Sequence, residues 1–95
     1  MAVRFEWNFT KNENNVLKHS VSFDEARKVF SDPFVIVRED RVVEGEMRLH
    51  AIGYVERVLL VVHTVREDGL GEIIRIVSAR KATRAERKFY EEEAY

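Results

Sequence analysis

At three plausible helix starts the sequence carries the signature of a helix N-terminus, a serine or threonine followed three residues later by glutamate. These stretches begin at Thr10, Ser22 and Thr83. In such a capping box the hydroxyl and the carboxylate each satisfy a backbone N–H that the first helical turn leaves unpaired. We therefore expect two helices near the N-terminus, the first reaching about Lys18, and a third helix that ends near residues 91–93.

The segments between these helices have the properties of strands. Residues 3–7 alternate apolar with charged side chains, and Pro33 ends the second helix because the residue before a proline avoids helical angles. Four further strands are expected at 34–38, 46–54, 57–66 and 72–78, separated by turn-like stretches at 39–45, 55–56 and 67–71. The predicted fold is α+β, a small antiparallel sheet with the element order β-α-α-β-β-β-β-α.

The second helix is expected to bury one face. Its inner face should consist of Phe23, Ala26, Val29 and Phe30, which recur at helical spacing. Val21, just before the capping box, can pack against Ala26 as a hydrophobic staple. These side chains are the expected contribution of the helices to the core.

Length and composition predict one domain over residues 1–95. With 45% hydrophobic residues the chain can fill a single modest core. The absence of cysteine excludes disulfides and thiolate metal sites, which fits a reducing compartment. The longest apolar runs, such as 58–62, are too short to span a bilayer, and the first residues lack the apolar region of a signal peptide. We expect a soluble cytoplasmic protein.

Positive charge is concentrated in residues 75–88, which hold six basic side chains and one acid, Glu86, in a chain of net charge -1. Such a surface can bind a polyanion such as RNA, or can be a solvated strand-to-helix junction. The candidate RNA contacts are the phosphate-binding side chains Arg80, Lys81 and Arg84, with Tyr90 either stacking on a base or packing within the last helix.

A candidate active site follows from the expected strand register. Alternation along 46–54 places Glu46, Arg48 and His50 on one face. If 55–56 form a two-residue hairpin loop, Arg48 lies opposite His63, and a loop at 68–69 would bring Arg75 beside His63. This arrangement depends on register, since a slip of one residue moves a side chain to the other face.

The chemistry that such a set could perform is phosphodiester cleavage. Arginines can hold the scissile phosphate, and a histidine or glutamate can take a proton from an attacking ribose 2′-hydroxyl or give one to the leaving oxygen. The favoured catalytic residues are Arg48, His63 and Arg75, with Glu46 and His50 secondary; alternatively these are solvent-facing polar residues. The third histidine, His19, is read as structural. The histidines lack the spacing of a zinc motif, and no cofactor is expected.

Segments along nearly the whole chain resemble the BrnT family, toxins of a type II toxin–antitoxin system. They are 5–7, 15–26, 32–33, 46–48, 51–53, 61–64 and 74–83, with Glu86, Arg87 and Tyr90. The resemblance implies a RelE-like ribonuclease fold and metal-independent cleavage of RNA that arrests translation. It also implies a cognate ribbon-helix-helix antitoxin that covers the site.

The chain departs from the family's pattern at two positions near the first helix. Ser20 stands where the family usually has glycine, and in a left-handed helix end serine should cost about 1 kcal/mol. Asn8 replaces an aspartate but can still cap a helix. A second hypothesis is a non-catalytic binding module that assembles with a DNA-binding partner, and a third is an interaction protein with no nucleic-acid role.

Overall fold

The computed structural model describes residues 2–94, with the side chains of residues 3–93; Met1 and Tyr95, the ends of the expected domain, lie outside the described residues. The strands are β1 (Ala2–Glu6), β2 (Ile36–Val43), β3 (Glu46–Val55), β4 (Arg57–Asp68) and β5 (Gly71–Lys81). The helices are α1 (Phe9–His19), α2 (Phe23–Ala26) and α3 (Arg84–Ala94), and a 3₁₀ segment, Arg27–Ser31, directly follows α2. The predicted element order is confirmed.

The five strands form one sheet in the order β1-β5-β4-β3-β2. The pairs β2–β3, β3–β4 and β4–β5 are antiparallel, but β1 pairs with β5 in parallel, Ala2 opposite Gly71 and Glu6 opposite Arg75. The prediction of a purely antiparallel sheet is therefore wrong, and the sheet is mixed. Short turns join the consecutive strands from β2 to β5, and these turns can be recognised in the sequence. The pairing of β1 with β5 has no such turn, because the two strands are far apart in the chain.

The two faces of the sheet bury separate cores. The helix face, covered by α1, α2 and the 3₁₀ segment, holds the larger core of Val21, Phe23, Ala26, Val29, Ala51, Leu59, Val61, Ile76 and Ala79. On the opposite face, which we call the open face, α3 covers only a small core of Ile52, Leu60 and Tyr90. The rest of the open face carries polar and charged side chains, so it is the part of the sheet that a ligand can reach.

The helix N-termini bear out the capping prediction fully at Thr83 and in part at Ser22, where the Glu25 carboxylate binds Arg57 instead of a backbone N–H. Glu25 N–H donates to the Ser22 hydroxyl at 3.0 Å, and at α3 Thr83 and Glu86 form the reciprocal pair of bonds, 2.8 and 3.2 Å. The box at Thr10 is not used, since α1 begins one residue earlier and Asn8 caps it by accepting from the Lys11 N–H at 3.0 Å.

The predicted inner face of the second helix is confirmed. Phe23, Ala26 and Val29 are fully buried, Val21 lies in the same cluster, and Phe30 packs against it. The helix itself is short because its α-helical hydrogen bonds give way to the tighter 3₁₀ pattern at Arg27–Ser31. Within the part of the chain that the structure describes, no helix is long and apolar enough to cross a membrane.

Asp32 joins the end of this segment to both the sheet and α3. Its carboxylate accepts hydrogen bonds from the backbone N–H groups of Phe34 and Tyr54, at 2.9 and 2.8 Å, and from the Tyr90 hydroxyl at 2.5 Å. Burial opposes ionisation, but these donors outweigh it and lower the pKa of Asp32. The carboxylate thereby fixes α3 on the open face.

Ser20 ends α1 in the left-handed conformation, with φ 57° and ψ 31°. Because a β-carbon is disfavoured there and glycine is not, we expect Ser20→Gly to raise the free energy of unfolding by about 1 kcal/mol. Urea denaturation of the two proteins measures the change. An unchanged or lower stability would mean that the serine side chain offsets the strain.

Candidate functional site

The hairpin between β3 and β4 sets which side chains share the open face. Glu56 alone occupies the turn, with φ 60°, so that Val55 pairs with Arg57. His50 therefore lies opposite Val62, one residue away from the predicted register. The expected pairing of Arg48 with His63 is wrong, since Leu49 is the partner of His63.

A bulge in β5 adds a second departure from regular alternation. Val62 pairs with Ser78 and His63 pairs with Ile76, which leaves Val77 as the extra residue. Arg75 consequently lies opposite Thr64, not beside His63 as predicted. The bulge directs Ser78 to the open face and Ile76 to the helix face.

His63 therefore lies on the helix face and not beside Arg48 and Arg75. Its side chain is 1% exposed, and its ring meets the Phe30 ring edge-on with centroids 4.8 Å apart. Nδ1 lies 3.3 Å from the Val61 carbonyl oxygen. The expectation that this imidazole is flanked by two guanidinium groups is wrong, because the one-residue register change turns it under the 3₁₀ segment.

Burial lowers the pKa of His63 below its ordinary value of 6.5; the Val61 carbonyl opposes the shift and His50 adds to it. Below pH 6.5 the unfolded chain gains a proton on this ring that the folded chain does not, so stability falls as pH decreases toward the folded pKa. We expect the unfolding free energy of the wild type to fall more than that of His63→Leu from about pH 7.5 to about pH 5.5. Denaturant titrations across this window measure both curves, and parallel curves would contradict the prediction.

Arg48 and His50 lie on the open face, where they border a pocket of about 230 Å³. The other walls come from the end of β2, from Val62 on β4 and from the β5 bulge. We call the space around Asp40, Arg48, His50 and Ser78 the open-face pocket. It holds an arginine, a histidine and a hydroxyl within one concave site, which is a set that can bind and transform a phosphate ester.

His50 is oriented by a carboxylate in this pocket. Its Nε2 lies 3.3 Å from Asp40 Oδ2, and its side chain is largely buried, with 20% exposed. Asp40 reaches it because a bulge in β2 between Glu39 and Arg41 turns the extra residue toward β3. A carboxylate beside Nε2 favours a proton on that nitrogen and leaves Nδ1 able to accept one.

Arg48 brings an unpaired hydrogen-bond donor to the pocket. Its Nε is buried and has no hydrogen-bond partner among the described residues, and none of the ion pairs formed by these residues involves Arg48. A buried donor without a partner costs free energy in the unliganded protein. An anion in the pocket would remove that cost.

Arg75 and Glu46 share this face by strand alternation but lie outside the pocket lining. Arg75 Nη1 is 3.9 Å from Glu6 Oε2, and the same carboxylate also pairs with Arg66. Glu46 is close enough to Arg66 to stabilise its charged form, so that the pKa of Arg66 is raised, chiefly by its hydrogen bond to Glu6. Glu6, Arg66 and Arg75 form an ion-pair network outside the pocket lining.

In the basic junction, residues 75–88, an ion pair with Glu86 neutralises one of the expected phosphate contacts, Arg80. Arg80 donates two hydrogen bonds to Glu86, at 2.7 and 3.0 Å, and the pair lowers the pKa of Glu86 to about 2. Lys81 and Arg84 are exposed, with no ion pair among the described residues. Tyr90 is 8% exposed and donates to Asp32, so the exposed stacking platform that was one of its two expected roles is wrong and its packing role is confirmed.

Sequence reasoning missed Asp40 and Ser78 as members of the site. The expected turn at 39–45 includes Asp40, although the strand β2 runs through it to Val43. The expected strand at 72–78 gives Ser78 no role beyond being its last residue. Across residues 2–94, no three His, Asp or Glu side chains are grouped closely enough to hold a metal ion.

Comparisons with known proteins identify the family. The sequence model of the family described as the ribonuclease toxin, BrnT, of a type II toxin–antitoxin system matches residues 7–86. A crystal structure of the Brucella abortus ribonuclease toxin BrnT has a similar fold, with a TM-score of 0.59 and 21% identity, over 87% of this chain and 100% of that chain. No curated protein matches the chain. Since the family match covers most of its length, the chain belongs to the BrnT family of ribonuclease toxins of type II toxin–antitoxin systems.

Proposed function

We propose that this chain is an endoribonuclease that cleaves RNA in the open-face pocket without a metal ion and thereby arrests translation. The observation that carries the proposal is the unpaired, buried Nε of Arg48 beside the Asp40–His50 pair. Family membership gives the ribonuclease class. The pocket supplies the residues and their roles.

Arg48 is the proposed phosphate-binding residue. A guanidinium presents several donors in a fixed plane and can hold two oxygens of a phosphate at once. Because its Nε already lies in a water-poor site, it can stabilise the charge that develops on the phosphate in the transition state. The Ser78 hydroxyl, in the same pocket, can donate to a third oxygen.

His50 is the proposed proton-transfer residue, positioned by Asp40. Nδ1 takes the proton of the ribose 2′-hydroxyl as the 2′-oxygen attacks phosphorus. The bond from phosphorus to the 5′-oxygen then breaks, the leaving oxygen takes a proton from water, and His50 returns its own proton to water. The products are a 2′,3′-cyclic phosphate and a 5′-hydroxyl. His50 lies two positions along β3 from Arg48, about 7 Å, which allows a ribose and its phosphate to contact both.

The other residues predicted from the sequence act outside the open-face pocket in this proposal. Arg75 and Glu46 adjust the field at the pocket rim, and Lys81 and Arg84 contact more distant phosphates. Arg80 acts mainly by holding the start of α3 through Glu86. His63 is assigned no catalytic role, because it is buried on the helix face. The proposal includes two points that family resemblance implies. One is a RelE-like fold, and the other is a ribbon-helix-helix antitoxin that covers the site.

The test is cleavage of a single-stranded RNA by the purified protein in the presence of a metal chelator. We expect products that end in a 2′,3′-cyclic phosphate and a 5′-hydroxyl, and no cleavage of an oligonucleotide with 2′-deoxyribose throughout. Cleavage that requires an added metal, or that yields a 3′-hydroxyl, would contradict the mechanism.

Growth arrest in cells tests the biological part of the proposal. Induced wild type should stop growth, and the Arg48→Ala variant, produced to the same level, should not. If the wild type binds RNA but never cleaves it, the non-catalytic binding module is the better description.

A further inference from the structure

A second basic pocket lies on the other side of the β5 bulge. It has a volume of about 320 Å³, and α1 contributes Lys11, Asn14, Asn15, Lys18 and His19 to its lining. β5 contributes Val77 and Ser78. We call it the α1 pocket. Each side chain that lines it is basic, amide, hydroxyl or aliphatic, so no carboxylate opposes an anion there.

The lysines of the α1 pocket keep their charge available. Lys11 and Lys18 are exposed, and neither takes part in an ion pair among the described residues. They are seven residues apart on one helix, about two turns, and so project from the same side roughly 10 Å apart. In a chain of net charge -1, an acid-free pocket with two unpaired lysines favours a polyanion.

Asn15 holds α1 rigidly against β5 at this point. Its Nδ2 donates to the Ala79 carbonyl at 2.8 Å and its Oδ1 accepts from the Ala79 N–H at 3.1 Å, so the side chain stands where a neighbouring strand would pair. Among the described residues β1 pairs with β5 only as far as Arg75. The edge of β5 beyond that residue is therefore covered by α1, and the two lysines have fixed positions relative to the bulge.

The two pockets adjoin each other. Val77 and Ser78 line both the α1 pocket and the open-face pocket. A flexible strand whose phosphate is held by Arg48 can therefore continue past Ser78 and around the edge of β5 to α1. A duplex is too wide and stiff to make such a bend, whereas single-stranded RNA can.

We propose that the α1 pocket is a subsite for backbone phosphates that flank the cleavage position, with single-stranded RNA as its ligand and Lys11 and Lys18 as its contacts. The proposal rests on the ribonuclease function proposed above. Its role is to hold the substrate, so it affects RNA affinity and KM more than the rate of the chemical step.

Binding of a non-cleavable RNA tests the subsite directly. The probe is a fluorescent single-stranded 2′-O-methyl oligonucleotide of about eight nucleotides, titrated with the full chain at several salt concentrations. The double variant Lys11→Gln, Lys18→Gln should bind about tenfold more weakly and lose about 1.4 from the slope of log K against log salt, roughly 0.7 for each phosphate contact. The matched control, Arg27→Gln with Lys28→Gln, removes the same charge from the 3₁₀ segment and should keep the wild-type slope.

Cleavage separates this proposal from the function on which it rests. On an RNA of the same length the double variant should raise KM with kcat unchanged, and on a dinucleotide it should match the wild type. If wild type cleaves but the double variant has the control's affinity and salt slope, the subsite is wrong and the ribonuclease proposal stands. If wild type binds without cleaving and the double variant binds more weakly, the subsite stands and the ribonuclease proposal fails.

Duplex RNA provides the last comparison. A duplex of the same sequence should bind the double variant and the control variant equally, because it cannot reach around the edge of β5. A tenfold loss of duplex binding in the double variant would overturn the assignment to single strands.

Discussion

Replacing Arg48 with alanine should lower the rate of RNA cleavage by about 10²–10³-fold, the usual loss when one donor to a developing oxyanion is removed. The loss should appear in kcat, because the charge that Arg48 stabilises increases as the transition state forms. Single-turnover cleavage of a labelled RNA measures it. Since the buried Nε has no partner in the free protein, the unfolding free energy should change by less than about 1 kcal/mol.

Two further variants distinguish the role of the Arg48 guanidinium in the pocket from a general effect of net charge. Arg48→Lys keeps the charge but not the planar pair of donors, so its rate should lie between those of wild type and alanine variant. Arg27→Ala removes an exposed arginine that pairs with Asp24 on α2 and should cleave at the wild-type rate. Equal losses in Arg48→Ala and Arg27→Ala would mean that only net charge matters, and the pocket would then not be the site.

His50→Ala should lower the cleavage rate by about 10²–10⁴-fold, because a positioned proton-transfer group contributes that much. Asp40→Asn should cause a smaller loss, since it keeps a side chain of the same size beside the ring but removes the negative charge 3.3 Å from Nε2. Both rates are measured under the same single-turnover conditions, well below the melting temperature.

The matched control for His50 is His63, the histidine that is buried on the helix face. His63→Leu removes an imidazole that is 1% exposed on the helix face, so it should alter stability and leave the cleavage rate of the folded protein within a few-fold of wild type. The reverse result, with His63→Leu inactive and His50→Ala active, would contradict the assignment of the proton-transfer residue.

Much of the fold follows from local sequence signals. The boxes at Ser22 and Thr83 mark two helix starts because their hydrogen bonds are formed within a single turn. The left-handed Ser20 could be expected from the position of glycine in the family. Pairing of β1 with β5 could not be expected, since residues so far apart in the chain leave no local pattern.

Local sequence signals also predict part of the candidate site, namely the side chains that share a strand. Arg48 and His50 share a strand, and alternation alone places them on one face. Their neighbours depend on features that alternation does not record: the one-residue turn at Glu56 and the bulges at Asp40 and Val77. Because of these features, His63 lies on the helix face, and His50 is the imidazole that remains beside Arg48 on the open face.

Which basic side chains of residues 75–88 are neutralised by ion pairs could not be predicted from the sequence. Residues 75–88 appear strongly basic in sequence, but Glu86 binds both outer nitrogens of Arg80 and so neutralises one of the predicted phosphate contacts. Lys11 and Lys18, separated from that segment by most of the chain, lie beside it only because Asn15 fastens α1 to β5.

A crystal structure of the protein with a short 2′-O-methyl RNA tests the central claim most directly, because the blocked 2′-oxygen preserves the substrate. We expect a phosphate within hydrogen-bond distance of Arg48 Nε, with the adjacent ribose 2′-oxygen facing His50 Nδ1. A phosphate bound instead to Lys81 and Arg84, with the open-face pocket free of RNA, would contradict it.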